Sequence, residues 1–205
     1  MSEYGLLPVT FVIDNSLYLE NKFDELQNQL KLFDEKATQT SYEKFLKYQI
    51  IMMDKFKPVT IKTFDQKLDL ANINISSIPR LNMMIDHAVE SLENYYESTN
   101  QRKHKSLFFV LTSGNTYDNP KDSIEALKRV NKNNLIVYMP FFLEKINVSS
   151  DIEKLYQLKK FLEIQSDKLS NFFQYVWELS SLRASTPINE KISLNSVSVK
   201  EWVVA

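Results

Sequence analysis

Three stretches of this chain are apolar almost without interruption: Leu6–Ile13 (L-L-P-V-T-F-V-I), Ser106–Thr112 (S-L-F-F-V-L-T) and Leu135–Phe142 (L-I-V-Y-M-P-F-F). A strand with one wet face alternates apolar and polar residues. Runs that do not alternate belong to strands covered on both faces. Each run is too short to cross a bilayer, which takes about 18–20 apolar residues. Helices packed on both faces are the expected cover.

Such helices are legible between the runs. Leu19, Phe23, Leu26, Leu30 and Phe33 recur at steps of 4, 3, 4 and 3, one face of an amphipathic helix. Pro79 sets a second helix start, with Leu81, Ile85, Ala88, Leu92 and Tyr95 as its inward stripe. Asn119-Pro120 opens a third, with Ile124, Leu127 and Val130 inward. Ser150 with Glu153 forms a capping box for a short fourth, and Ser166 caps a fifth through Leu169, Phe172, Phe173, Val176 and Leu179. Tyr48–Phe56 and Val59–Phe64 read as an antiparallel hairpin at a sheet edge, and Phe161–Ile164 as a short strand. Pro140 is expected to end the hydrogen-bonded part of its strand. The order β-α-β-β-α-β-α-β-α-β-α predicts an α/β fold, doubly wound and Rossmann-like. Its mostly parallel sheet has about six strands, one of them an antiparallel edge strand, with helices on both faces. Residues 1–184 form the domain. Residues 185–205, after Ser185-Thr186-Pro187, form an extension expected to pack on the domain or a partner.

Composition narrows the function. Twenty-five basic and 26 acidic side chains give a net charge of −1, so no global field attracts nucleic acid or an anionic membrane. The basic stretch Gln101–Lys105 reads as a solvated loop. Without cysteine there is no disulfide, thiolate metal site or thiol nucleophile. Two glycines are too few for a phosphate-cradling loop, and no G-x-G-x-x-G or Walker motif is present. No signal peptide is recognised, and a cytoplasmic location is the expectation. His87 and His104, the two histidines, lack ligand spacing, and no G-x-S-x-G elbow marks a hydrolase serine. The pairs Asp24-Glu25 and Asp34-Glu35 read as solvated helix charge.

Ligands of open α/β sheets sit beyond the strands' carboxyl ends. Two such ends carry polar side chains: Asp14-Asn15-Ser16, and Thr112-Ser113-Gly114-Asn115-Thr116-Tyr117-Asp118. An acid/base pair of Asp14 and Asp118 is one chemistry these loops could host.

L-P-V-T-F-V-I-D-N-S before an amphipathic helix, S-L-F-F-V-L-T-S-G-N-T-Y-D, and F-F-Q-Y-V-W-E-L-S-S-L together resemble a von Willebrand factor A (VWA) domain. The bacterial tellurium-resistance type is the most similar. The likeness runs over residues 6–184. Intact members carry a metal-ion-dependent adhesion site: Asp-x-Ser-x-Ser, a Thr before the central helix, and an Asp on the fourth strand. These are hard oxygen ligands suited to Mg²⁺. Carried over, Asp14 and Ser16 match. Tyr18 stands for the second Ser, Ile78 for the Thr (with Ser77 as fallback), and Ser113 for the Asp. The resemblance thus implies a degenerate site with no cofactor; a Mg²⁺-dependent ligand-binding domain with a reduced site is the alternative. It implies a non-enzymatic module that binds a protein through a loop face of Leu17, Tyr18, Ser77, Tyr117 and Asp118. The partner would be a kinase, phosphatase or other effector of a bacterial stress or defence system.

Overall fold

The computed structural model describes residues 4–39, 44–70, 73–76, 78–143, 152, 161–165, 167–188, 190, 192 and 203–204. Its strands are β1 (Leu7–Ile13), β2 (Leu46–Asp54), β3 (Lys57–Lys62), β4 (Ser106–Thr112), β5 (Ile136–Phe142), β6 (Leu162–Ile164) and β7 (Val203–Val204). They form a seven-stranded sheet in the order β3-β2-β1-β4-β5-β6-β7. The strands β2-β1-β4-β5-β6 run parallel. β3 and β7 pair antiparallel at the two edges. The expected edge hairpin is β2–β3. The tail adds a second antiparallel edge by placing Val203 and Val204 opposite Ile164 and Glu163.

The helices are α1 (Glu20–Gln39), α2 (Leu81–Ser98), α3 (Lys121–Lys132) and α4 (Leu169–Ala184), with a 3₁₀ turn at Leu17–Leu19. Pleating divides the core. Val9, Phe11 and Ile13 join Leu26, Leu30 and Phe33 of α1 and Phe172, Phe173 and Val176 of α4 in one cluster. Val12, Phe108 and Val110 join Ile85, Val89 and Leu92 of α2 and Leu127 and Val130 of α3 in the other. Phe11 is fully buried, edge-on to Phe33 (centroids 5.3 Å) and stacked on Phe109 (5.5 Å). Truncating such a ring to alanine costs about 3–5 kcal/mol.

Two expectations are corrected. Pro140 does not end β5, which runs on to Phe142. Pairing to β6 starts only at Phe141, so the missing proline N–H falls before the second ladder begins. The Gln101–Lys105 stretch is not wholly solvated. Leu6 N–H donates to Arg102 O (2.9 Å) and His104 N–H to Leu6 O (2.8 Å), which extends the β1 ladder and draws His104 inside. His104 is 1% exposed, and burial, helped by Arg183, lowers its pKa to about 4. Lys103 closes the end of α2 by donating from Nζ to Tyr96 O (3.0 Å) and Thr99 O (2.6 Å). His87 is half-buried, its Nε2 3.0 Å from Thr60 Oγ1. The capping residues Ser150, Glu153 and Ser166 lie outside the described residues.

Candidate functional site: the loops at the strand carboxyl ends

Parallel strands followed by helices bring three loops together at one end of the sheet. They are residues 14–19 after β1, 73–76 and 78–80 before α2, and 113–120 between β4 and α3. Asp14 continues the ladder, its N–H donating to Leu111 O (2.8 Å). Its side chain then turns inward and is 1% exposed. Oδ1 accepts the Ser16 N–H (2.9 Å). Oδ2 accepts the Ser113 N–H (3.0 Å), the Ser113 hydroxyl (2.7 Å) and the Thr112 hydroxyl (3.3 Å). Thr112 Oγ1 in turn accepts the Gly114 N–H (3.1 Å), and Gly114 turns the chain at φ 91°, a region open to glycine. One carboxylate thereby ties the first loop to the fourth strand's end, satisfying two backbone amides.

Asn15 ties the first loop in the other direction. Its Nδ2 donates to Met53 O (2.9 Å) and Asn74 O (2.7 Å), while Oδ1 accepts the Met53 N–H (2.9 Å). Ser76 N–H donates to Asn15 O (2.8 Å) and Leu17 N–H to Ser76 O (3.0 Å). Ser76 Oγ reaches Lys55 O and Ile78 O, each at 3.3 Å. The β2–β3 hairpin tip, Lys55-Phe56, is thus held against the same loops.

The motif positions behave unequally. Ser113 meets Asp14 directly. Ser16 is buried, but its hydroxyl has no protein partner. The Tyr18 hydroxyl turns from Asp14 to Tyr117, 3.0 Å from its hydroxyl, and that bond raises the Tyr18 pKa. Ile78 is half-buried and brings no hydroxyl. Ser77 lies outside the described residues.

Asp118 belongs to a different assembly. Its Oδ1 accepts Asn82 N–H (3.3 Å), Asn82 Nδ2 (3.1 Å) and the Thr116 hydroxyl. Oδ2 accepts Met83 N–H (2.7 Å), and Thr116 Oγ1 accepts Leu81 N–H (3.0 Å). Arg80, the residue at the helix start, offers no side-chain cap, so Thr116 and Asp118 supply it from across the loop. Asp14 and Asp118 share no hydrogen-bond partner, so the acid/base pair gains no support from geometry.

Around these buried groups the rim is apolar. Leu17 (53% exposed), Phe56 (62%), Met83 (37%) and Tyr117 (68%) stand there. They are four of the seven exposed large hydrophobics among the described residues. Sequence reasoning reached Leu17 and Tyr117, and placed Asn15, Thr112 and Thr116 in the polar strand ends without a role of their own, but missed Phe56 and Met83. The hairpin tip K-F-K was the available signal for Phe56.

An open, mostly parallel sheet covered on both faces, with its polar loops gathered at the carboxyl ends, defines a doubly wound α/β protein. The particular fold is that of von Willebrand A domains, by likeness to solved structures. The SpRpn10 VWA domain is 13% identical, with 92% of this chain and 99% of that one covered and a TM-score of 0.58. The manganese-loaded TRAP protein of Plasmodium vivax is 7% identical over 81% of this chain and 71% of that one, at 0.57. The pilus adhesin SpaC of Lactobacillus rhamnosus GG, in its open conformation, is 10% identical over 88% of this chain and 30% of that one, at 0.61. At these identities the likeness shows the fold alone. No protein-family model matches the sequence, and no curated protein matches it. Among the described residues, no helix is long and apolar enough to cross a membrane.

Proposed function

We propose that the chain is a non-enzymatic interaction module that binds a protein partner through its loop face without a metal ion. The observation that carries this is the rim of Leu17, Phe56, Met83 and Tyr117 around a carboxylate turned inward. Aromatic and apolar side chains gathered on one exposed face suit a protein contact, and tyrosine is a frequent anchor.

The donor set does not fit the divalent cation held by intact sites of this fold. Asp14 is the single motif carboxylate, and its two oxygens already accept four protein donors. Ser113 brings no charge to offset dehydration of the ion, and Tyr18 is engaged with Tyr117. Among the described residues, no group of three or more His, Asp or Glu could hold a metal. The alternative, a reduced Mg²⁺ site of Asp14, Ser16 and Ser113, draws on the buried Ser16 hydroxyl that lacks a protein partner.

The finer reading is a cytoplasmic tellurium-resistance-like module of a bacterial stress or defence system, with a kinase, phosphatase or other effector as partner. It rests on sequence resemblance. The division into a domain of residues 1–184 and an extension of 185–205 belongs to the same proposal. Arg183, whose guanidinium donates to Ile188 O (3.0 Å) and Glu190 O (2.7 Å), and β7 on β6 support an extension packed on the domain. Affinity capture from the native cells with the wild type and with a Tyr18→Ala, Tyr117→Ala double variant tests the loop face. Recovery of a partner by the wild type in EDTA, lost in a folded double variant, is the expected result. Equal recovery by both would mean that the partner binds elsewhere.

A further inference from the structure

At the opposite end of the sheet a cleft of about 560 Å³ opens between the last turns of α1 and the turn that follows β3. Three lysines line it, Lys47, Lys62 and Lys67, against two carboxylates, Asp34 and Asp65. Both carboxylates already have partners. Asp34 accepts the Tyr48 hydroxyl, and Asp65 lies 3.7 Å from Lys47 Nζ.

Lys62 is the unusual member. It sits on the edge strand but points inward, and it is 6% exposed. Its ammonium donates to Gln66 O and lies 4.3 Å from the centroid of the Tyr48 ring. Neither neighbour carries formal charge. Neither Lys62 nor Lys67 makes an ion pair among the described residues. An inward charge on an edge strand discourages strand addition, but that role needs no cavity. Leaving a buried ammonium without a paired anion is costly, and burial, with neighbouring Lys47, lowers the proton affinity of Lys62 against the partial pull of Asp34 and Asp65. Phe64, Leu46 and Leu68 supply apolar wall. A space of this size, with charged and polar groups on one side and an apolar wall on the other, can admit a small polar molecule.

We propose that this cleft binds a small organic oxyanion, a carboxylate or a phosphate, whose charge is neutralised by Lys62 and Lys67. The bound anion would give Lys62 the direct ion pair that Asp34 and Asp65, in the same cleft, do not make with it, and the body of the ligand would lie against Phe64 and Leu68. The site is independent of the loop face, which lies at the carboxyl ends of the strands.

Thermal unfolding and amide NMR of the whole chain test it, with inorganic phosphate and acetate as separate probes against chloride at equal ionic strength. The expected result is a rise in Tm of several degrees at tens of millimolar for one or both probes. Saturable shifts at the amides of residues 47–48, 62 and 66–67 should accompany it. A response to phosphate alone assigns a phosphate ligand, and one to acetate alone a carboxylate. The shifts should be lost in Lys62→Met and weaken about tenfold in Lys67→Ala, whose exposed position leaves the fold intact. Lys128→Ala should behave as wild type. Absence of any anion-specific response, or shifts that persist in Lys67→Ala at wild-type affinity, would overturn the proposal.

Discussion

Replacing Asp14 by alanine removes the only acceptor that the Ser16 and Ser113 amides and the Ser113 hydroxyl share. Hydrogen bonds to a charged group contribute about 1.5–3 kcal/mol each, and they are not additive within one cluster. Leaving the buried Ser16 and Ser113 donors unsatisfied costs about 1–3 kcal/mol each, or about 3–5 kcal/mol in total. For a chain of this size 1 kcal/mol corresponds to about 2–4 °C in Tm, so the drop should be about 6–20 °C. Asp14→Asn should also be destabilising. Whichever oxygen becomes the amide, its N–H groups face the Ser16 N–H or the Ser113 N–H and hydroxyl. Urea unfolding followed by circular dichroism measures both variants. If Asp14 is a structural anion, the loss is the same in EDTA and in millimolar Mg²⁺. A loss below about 1 kcal/mol, or a wild type that Mg²⁺ stabilises and Asp14→Ala does not, would refute the reasoning.

Asp118→Ala should cost about 1–2 kcal/mol by uncapping α2, with no effect on Asp14, and urea unfolding measures it. Between about pH 4 and 6.5 the unfolded chain binds a proton at His104 that the folded chain does not. Stability is therefore full above pH 6.5 and falls as the pH drops toward 4, by on the order of 3 kcal/mol. In His104→Leu that part of the pH dependence should vanish from unfolding free energies measured across the window. Gly5→Ala should cost about 1–3 kcal/mol, because its Cβ would come within 2.5 Å of Ile188 Cδ1 and 2.7 Å of the Arg102 carbonyl. A thermal melt reads that loss directly.

The fold was legible because its signals are continuous. Uninterrupted apolar runs such as Phe108–Leu111 admit one environment, a strand covered on both sides, and the stripe of α1 admits one buried face. What escaped depends on partners remote in sequence. His104 is polar in a basic stretch, and nothing local announces that Leu6 pairs on both sides of Lys103. Pro140 reads as a breaker until the late start of the β6 ladder is known. At the site, Asp14 and Ser113 were legible as motif positions. Their mutual bond was not, because it spans 99 residues. Asp118 was read as part of the binding face, yet it caps a helix that begins 37 residues earlier, at Leu81. Phe56 escaped because the hairpin tip reaches the loop face through Asn15 and Ser76, residues remote from it in sequence.

The most direct test of a metal-free loop face is calorimetric titration of the whole chain with Mn²⁺ and Mg²⁺ after treatment with EDTA. The expected result is no saturable heat up to millimolar metal. Stoichiometric binding by the wild type that Asp14→Ala abolishes would contradict it, and would return Asp14, Ser16 and Ser113 to the role of ligands.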